Sequence, residues 1–507
     1  MTAAIAGPCD RGVATSVRAN ESSQETTHPR GTLAATILGS SLAFIDGSVV
    51  NVGLPAIERD LGANGASIPW LINAYLLPLG ALVLFGGVAG DRWGRKRTFL
   101  AGMLVFALAS LGCSLAPGFG WLLGARVMQG IGAAFLMPAS LAVIGAAFDG
   151  EARGRAVGTW AAAGAITGAI GPLAGGWLID AVGWRSIFLI NLPIAAVAAW
   201  LAWRYVTESR SGDAAPLDWG GALLATAGLA LVTVALTASA GQSGLDNGAA
   251  GNNAGAGTSA GGWGLAAAGG AAGLALLIGF VVLQARRGDR AMMPLSLFGT
   301  RTFVGVTLLT LFLYAALGGM MVLLPYLLIE RGGYSAAGAG AALLPLPIAI
   351  GLGSRAAGRL AERVGARWLL TIGPCIVGAG FALFLRAGPG AYGYASVVLP
   401  ALALLACGLT LSVAPLTAAV MAAVDAAHVG SASGVNNAVA RIAGLLATAL
   451  LGFVIAGGAG EARFIAAFHA AAVVGCGLSL LAGFSAFALV RDNGNRPTRA
   501  SPHGKST

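Results

Sequence analysis

Apolar residues along this chain gather into long runs, separated by short polar segments rich in arginine. A helix crosses the hydrocarbon of a bilayer with about 20 apolar residues. Fourteen runs meet that length, near 32–54, 68–88, 98–116, 120–146, 156–180, 186–206, 218–239, 263–283, 302–329, 337–361, 367–386, 394–420, 432–456 and 464–490. The seventh and eighth are rich in alanine and glycine and flank a polar stretch from Gly241 to Gly262. The expected fold class is an all-α integral membrane protein with fourteen transmembrane helices.

Charge changes the picture by giving the spans a direction. Of the 507 residues, 57% are hydrophobic and 10% charged, against about a quarter charged in a soluble domain. The formal net charge of +10 does not point to nucleic acid, because the basic residues lie in short clusters between apolar runs. Cytoplasmic loops are enriched in Arg and Lys. Placing the amino terminus inside puts 23 of the 30 basic residues in cytoplasmic segments. Arg59, Arg185, Arg331, Arg386 and Arg463 fall outside, and Arg126 and Arg441 fall within spans. A missed span would swap loop sides downstream and erase this bias. An even number of spans follows, with both ends in the cytoplasm.

The loops after spans 2 and 10 repeat one another. Gly87, Asp91, Arg92, Gly94 and Lys96 align with Gly358, Glu362, Arg363, Gly365 and Arg367 at a constant offset of 271 residues. Both loops are cytoplasmic and follow an even-numbered span, which marks a duplication. The expected domains are a disordered tail over 1–31, a six-helix bundle over 32–206, an inserted helix pair with linkers over 207–301, a second six-helix bundle over 302–490 and a tail over 491–507. The stretch Gly251 to Ser259 reads as a flexible polar linker. Repeated halves suit alternating access, in which two bundles rock about a site near the middle of the membrane.

Several motifs stand in order along the chain. Span 1 carries Ile45-Asp46-Gly47-Ser48-Val49-Val50-Asn51-Val52-Gly53-Leu54-Pro55, and the loop Gly87 to Arg97 follows span 2. Arg126-Val127-Met128-Gln129-Gly130-Ile131-Gly132 lies in span 4, Gly164 to Gly176 in span 5, and Trp184 to Pro193 at the start of span 6. Over roughly residues 35–490 the chain resembles the major facilitator superfamily, in particular the fourteen-span drug:proton antiporters of the EmrB/QacA type (DHA2). The resemblance implies two six-helix bundles plus two inserted helices, and a proton-coupled exporter of lipophilic small molecules, drugs or antibiotics among them. It also implies a multi-pass protein of a bacterial cytoplasmic (inner) membrane.

The polar residues inside the spans are the candidates for chemistry. Asp46 is the one acid placed deep in hydrocarbon, where a charge usually signals function. It lies nine residues before Pro55, about 13 Å from the outer end, and Arg126 lies about 9 Å from the same surface, at 1.5 Å per residue. Burial favours the protonated acid, while Arg126 or a cationic substrate favours the charged one. Asp46 and Arg126 therefore read as a proton and substrate coupling pair, or as a fixed ion pair that sets helix register. Gln129, one turn from Arg126, either orients it, lines the cavity or makes an ordinary interhelical bond.

In span 5, Gly164, Gly168, Pro172 and Gly176 recur every fourth residue beside Gly171 and Gly175. Such a smooth stripe lets helices approach closely, and Pro172 bends the helix. The resemblance makes this a tight, hinged contact between the halves that limits proton leak; generic close packing is the other reading. Gly87, Asp91, Arg92, Gly94 and Arg95 read as a conformational latch, with Asp91 pairing to Arg92, Arg95, Arg153 or Arg155, or as plain topology determinants. Glu362 and Arg363 mirror them. Asn436, Asn437 and Arg441 place a second polar cluster in span 13, facing either substrate or a neighbouring helix.

No phosphate-binding loop of the GxxxxGK[ST] pattern is present, so nucleotide hydrolysis does not power this chain alone. The five cysteines and four histidines show no metal spacing, and no cofactor is expected. The expected partners are a small lipophilic substrate, protons and the lipid bilayer, without nucleic acid. A periplasmic adaptor is compatible with this reading, but no residue calls for one. Uptake of a metabolite on the same scaffold and a flux-free membrane sensor are the competing functions; an enzyme is disfavoured. Neutral or weakly acidic aromatic cargo suits the lack of further acids inside spans 10 and 13.

Overall fold

The computed structural model describes residues 28–63, 68–210, 217–249, 256–288, 291, 293–388, 393–424, 429–455 and 461–491. Fourteen long helices fill them: α1 (Pro29–Leu61), α2 (Ile68–Trp93), α3 (Arg95–Ser114), α4 (Phe119–Ala147), α5 (Gly150–Val182), α6 (Ser186–Tyr205), α7 (Trp219–Ala249), α8 (Ala256–Arg287), α9 (Arg301–Arg331), α10 (Ala336–Val364), α11 (Ala366–Arg386), α12 (Tyr394–Ala422), α13 (Val429–Ile455) and α14 (Glu461–Leu489). All but α13 pass a strict test of length and apolarity among the described residues. The 27 residues of α13 span about 40 Å at 1.5 Å per residue, enough to cross.

Two of the expected boundaries move. Proline at the first helical position starts α1 at Pro29, where its missing N–H leaves no bond unmade, so the end of the expected amino-terminal tail is helical. Residues 1–27 and 492–507, and with them most of both expected tails, lie outside the described residues, as do 251–255 of the expected linker. Ala256 to Ser259, also read as linker, begin α8.

The helices are apolar on the side that faces lipid. Leu104, Leu108, Leu352 and Phe484 are exposed, as bilayer-facing residues should be. Exposed tryptophans fall in two belts. Trp93, Trp200, Trp203, Trp219 and Trp368 mark the arginine-rich ends of the helices, and Trp121 and Trp177 the opposite ends. Indole rings favour the two membrane interfaces.

Contacts within the first six helices recur eight helices later. The pairs α1·α5, α1·α6, α2·α4, α3·α4 and α3·α6 reappear as α9·α13, α9·α14, α10·α12, α11·α12 and α11·α14. The repeated loops share their backbone as well. Gly94 and Gly365 turn the chain with φ of 113° and 92°, a region that side chains with a Cβ avoid. Lys96 Nζ donates to the Trp203 carbonyl at 2.8 Å, and Arg367 donates to the Phe487 carbonyl at 2.7 and 3.0 Å. In each half the aligned basic residue thus binds a free carbonyl at the end of the last helix, where the helix dipole favours a cation.

The two sets of six meet through α2 with α13, α5 with α10, and α1 with α9. Helix α7 packs on both α2 and α13, and α8 packs chiefly on α7.

Candidate functional site

Helix α4 crosses α2 where Gly130 stands directly against the Tyr75 carbonyl. One turn earlier, this close crossing lays Arg126 against the Tyr75 ring, 4.4 Å from its centre, a cation–π contact. The Arg126 guanidinium is almost wholly enclosed. Its Nη1 donates to Asp46 Oδ2 at 2.5 Å and to Gln129 Oε1 at 2.9 Å, and its Nε to the Leu71 carbonyl at 3.2 Å. Gln129 Nε2 donates in turn to Asp46 Oδ1 at 3.2 Å and to Ser110 Oγ at 2.7 Å. Asn191 Nδ2 reaches the same Ser110 oxygen at 3.3 Å, and Cys113 Sγ donates to Gln129 Oε1 at 3.3 Å. One network therefore ties α1, α3, α4 and α6, and both oxygens of a carboxylate with no solvent exposure have partners. A buried charge persists only with such pairing.

A cavity of about 350 Å³ lies between the two halves, at the small end of the range for small-molecule sites. From the first half, Ser48, Asn51, Tyr75 and Arg126 reach it; from the second, Tyr314, Arg441 and Thr448. Leucines, Met321, Pro172 and Pro347 complete an apolar wall. Asp46 sits behind Arg126 and is not itself part of the lining. The broken helix α10 contributes Leu343 and Leu346 on either side of its interruption at Leu344.

Polar and backbone contacts join the halves on one side of this cavity. Glu58 of α1 accepts a short hydrogen bond from the Tyr326 hydroxyl of α9. Asp180 near the end of α5 accepts from the Ala336 and Ala337 backbone N–H groups at 3.2 and 2.9 Å, the free donors at the start of α10. Thr448 of α13 donates to Asn73 of α2. Pro172 and Gly340 carry α5 and α10 into backbone contact, and Gly176 sits against the Ala336 carbonyl.

The glycine stripe of α5 therefore divides its faces. Gly164, Gly171 and Gly175 lie against Phe44, Ser48 and Val49 of α1, and Gly176 and Pro172 against α10. Gly168 borders the cavity with open space beside it.

In the loop after α2, Asp91 pairs with Arg95 one turn away, at 2.8 Å; Arg92 is exposed, and Arg153 approaches Gly145 instead. Gly87 lies 3.7 Å from Pro138, measured from where a Cβ would stand. Glu362 and Arg363 are exposed and form no ion pair among the described residues.

Of the second polar cluster, the structure brings Arg441 to the cavity but not Asn436 or Asn437. At 3.6 residues per turn, Asn436 stands about 140° from Arg441 around α13, and its Oδ1 accepts from Thr310 at 2.7 Å. Asn437 lies a full turn nearer the start of the helix.

Reasoning from sequence missed Tyr75, Ser110, Glu58, Tyr326 and Glu208. Glu208 accepts from the Lys96 and Arg97 N–H groups at the start of α3, a capping role that only the fold reveals.

Residues 36–448 match the family model described as Major Facilitator Superfamily. The chain belongs to this superfamily. It is 33% identical over 426 residues to "Multidrug resistance protein Stp" of Mycobacterium tuberculosis, a match covering 84% of this chain and 75% of the relative. It is 34% identical to "Puromycin resistance protein pur8" of Streptomyces alboniger, covering 84% and 81%, and 32% identical to "Cephamycin export protein CmcT" of Amycolatopsis lactamdurans, covering 92% and 94%. Among solved structures, a bacterial homologue of the human lysosomal transporter Spinster, inward-facing and unoccupied, superposes with a TM-score of 0.61 at 17% identity. That likeness covers 92% of this chain and 97% of the other, and at such identity it speaks for the fold alone. Multi-pass membrane transport is what membership of the superfamily brings.

Proposed function

We propose that this chain exports lipophilic small molecules, drugs or antibiotics among them, and exchanges each for protons by alternating access. The named roles of the relatives in multidrug resistance, puromycin resistance and cephamycin export support the export reading. The observation that carries the coupling is the enclosed Asp46 carboxylate bonded to Arg126, which in turn reaches the cavity between the halves. Protonating Asp46 removes its charge and frees Arg126 to change partners, so the proton on α1 alters the wall that cargo meets. Gln129, bonded to both, keeps the two in register. The bundles 32–206 and 302–490 are the bodies that move, and the α5–α10 backbone contact is the seam along which they tilt.

The arginine-rich loops favour a chain in a bacterial cytoplasmic membrane with both ends inside. In that orientation Glu58, Tyr326, Asp180 and Ala336 stand at the outer mouth, which is the closed one. The latch reading of Asp91 narrows to the Asp91–Arg95 pair and the Glu208 cap on α3.

The experiment uses inverted vesicles with an imposed pH gradient and a dye that reports internal pH. Adding transported drug should move protons out of the acidified lumen with the wild-type chain and not with Asp46→Asn. Uptake of drug and proton in the same direction would replace export with symport. Unaltered exchange in Asp46→Asn would remove the carboxylate from the mechanism.

A further inference from the structure

The cavity holds two guanidinium groups and no carboxylate in its lining. Their situations differ. Arg126 is neutralised by Asp46 behind it. Arg441 has no ion pair and no hydrogen bond among the described residues. Tyr75 and Tyr314 share the lining with it. The root of the side chain is fixed: α13 crosses α2 at Gly80, where an added Cβ would stand 3.3 Å from that of Arg441.

A cation held in a membrane cavity without a counter-ion is unfavourable, and a ligand that brings the missing negative charge relieves it. Guanidinium meets a carboxylate through two parallel hydrogen bonds. The aromatic and aliphatic wall suits a flat apolar body attached to that acid. We propose that Arg441 is a specificity-determining residue that binds the acidic group of an aromatic organic acid, with Tyr75 and Tyr314 flanking the ring. This deepens the export reading, on which it rests, by naming the class of cargo.

The place of the charge matters to the mechanism. An anion seated on Arg126 would compete with Asp46 for its partner and draw a proton onto Asp46, which couples the two in the same direction. An anion seated on Arg441 leaves the Asp46–Arg126 pair closed. An inside-negative membrane potential then favours outward movement of the loaded anion.

The test measures binding to the full chain in lipid nanodiscs, with no gradient, by equilibrium dialysis at neutral pH. The probes are 2-naphthoate, its methyl ester and 2-naphthylmethylammonium, which share one ring system and differ in charge. The acid should bind about tenfold tighter than the ester and tighter still than the ammonium, a factor set by one charge-assisted contact. Arg441→Gln should bring the acid to the level of the ester without weakening the ester, and Arg441→Lys should keep part of the preference. Should Arg441→Gln fail to fold, the wild-type chain decides alone: acid binding should fall as pH drops through the probe's own titration while ester binding stays flat. Equal binding of acid and ester, tighter binding of the ammonium, or an unchanged acid affinity in Arg441→Gln overturns the proposal. Asp46→Asn should retain the preference for the acid. Loss of proton exchange there with the preference intact separates failure of the coupling from failure of this assignment.

Discussion

Glu58 in α1 and Tyr326 in α9 stand 268 positions apart in the chain and share a hydrogen bond across the two halves. A bond between a carboxylate and a hydroxyl contributes about 1.5–3 kcal/mol. It exists only while these helix ends are together, so removing it destabilises one conformation and spares the other. Tyr326→Phe should therefore raise the population with that mouth open by about tenfold or more, at 1.4 kcal/mol per decade. A cysteine substituted at Asn51 in a cysteine-free background, labelled from each side of the membrane, reads the change. Unaltered labelling from the outer side would show that the bond does not hold the mouth.

The α5–α10 seam gives a steric prediction. A Cβ at Gly176 would strike the Ala336 carbonyl, and one at Gly340 the Pro172 carbonyl. Backbone cannot swing aside as a side chain does. Gly176→Ala and Gly340→Ala should each prevent closure and lower drug efflux about tenfold or more, the loss expected when a mandatory state is raised by over 1.4 kcal/mol. Gly168→Ala has open space and should leave closure intact, apart from the volume it removes from the cavity. Efflux rates in a susceptible host, with outer-side labelling beside them, separate the three.

Much of this architecture was legible beforehand, because the bilayer imposes run length and arginine bias on a sequence directly. The repeat at 271 residues located the duplication, and the contacts α1·α5 and α9·α13 are its physical form. Counting rise along two helices put Asp46 and Arg126 at similar depth, and the fold joins them in an ion pair. Other features needed the fold. Nothing about Tyr75 distinguishes it from a lipid-facing aromatic until α2 and α4 cross at Gly130. Glu208 caps a helix that starts 113 residues earlier in the sequence, a relation that loop lengths do not predict. Asn436 and Asn437 looked like partners of Arg441 because they share a span, yet helical rotation and rise keep them from its cavity.

The turn at Gly94 combines two penalties for any larger residue. Its φ of 113° disfavours side chains by about 1–3 kcal/mol, and a Cβ would lie 2.6 Å from Glu208 Oε1, displacing the cap on α3. Gly94→Ala should thus lower the thermal midpoint of the purified protein, and Glu208→Gln should produce a smaller loss than Gly94→Ala. Equal shifts for Gly94→Ala and Glu208→Gln would mean that the turn adds nothing beyond the cap.

The inserted helix pair is tied by one buried acid. Asp218 ahead of α7 accepts from the Gly221 N–H at 2.5 Å and from Gln284 Nε2 of α8 at 2.6 Å, and it pairs with Arg287 at 2.5 Å. Gln284 in turn accepts from the Met293 N–H at 3.1 Å, so a single amide joins α7, α8 and the segment leading to α9. Gln284→Met keeps the volume and removes both bonds. Two lost bonds, one of them to a charged group, predict a destabilisation of about 2–4 kcal/mol. Because α8 packs chiefly on α7 and Gln284 does not border the cavity, ligand affinity should hold while the thermal midpoint falls. If affinity dropped and stability did not, the pair would act on the cavity through α7, which rests on both α2 and α13, and its role would be in transport instead of in holding the helices together.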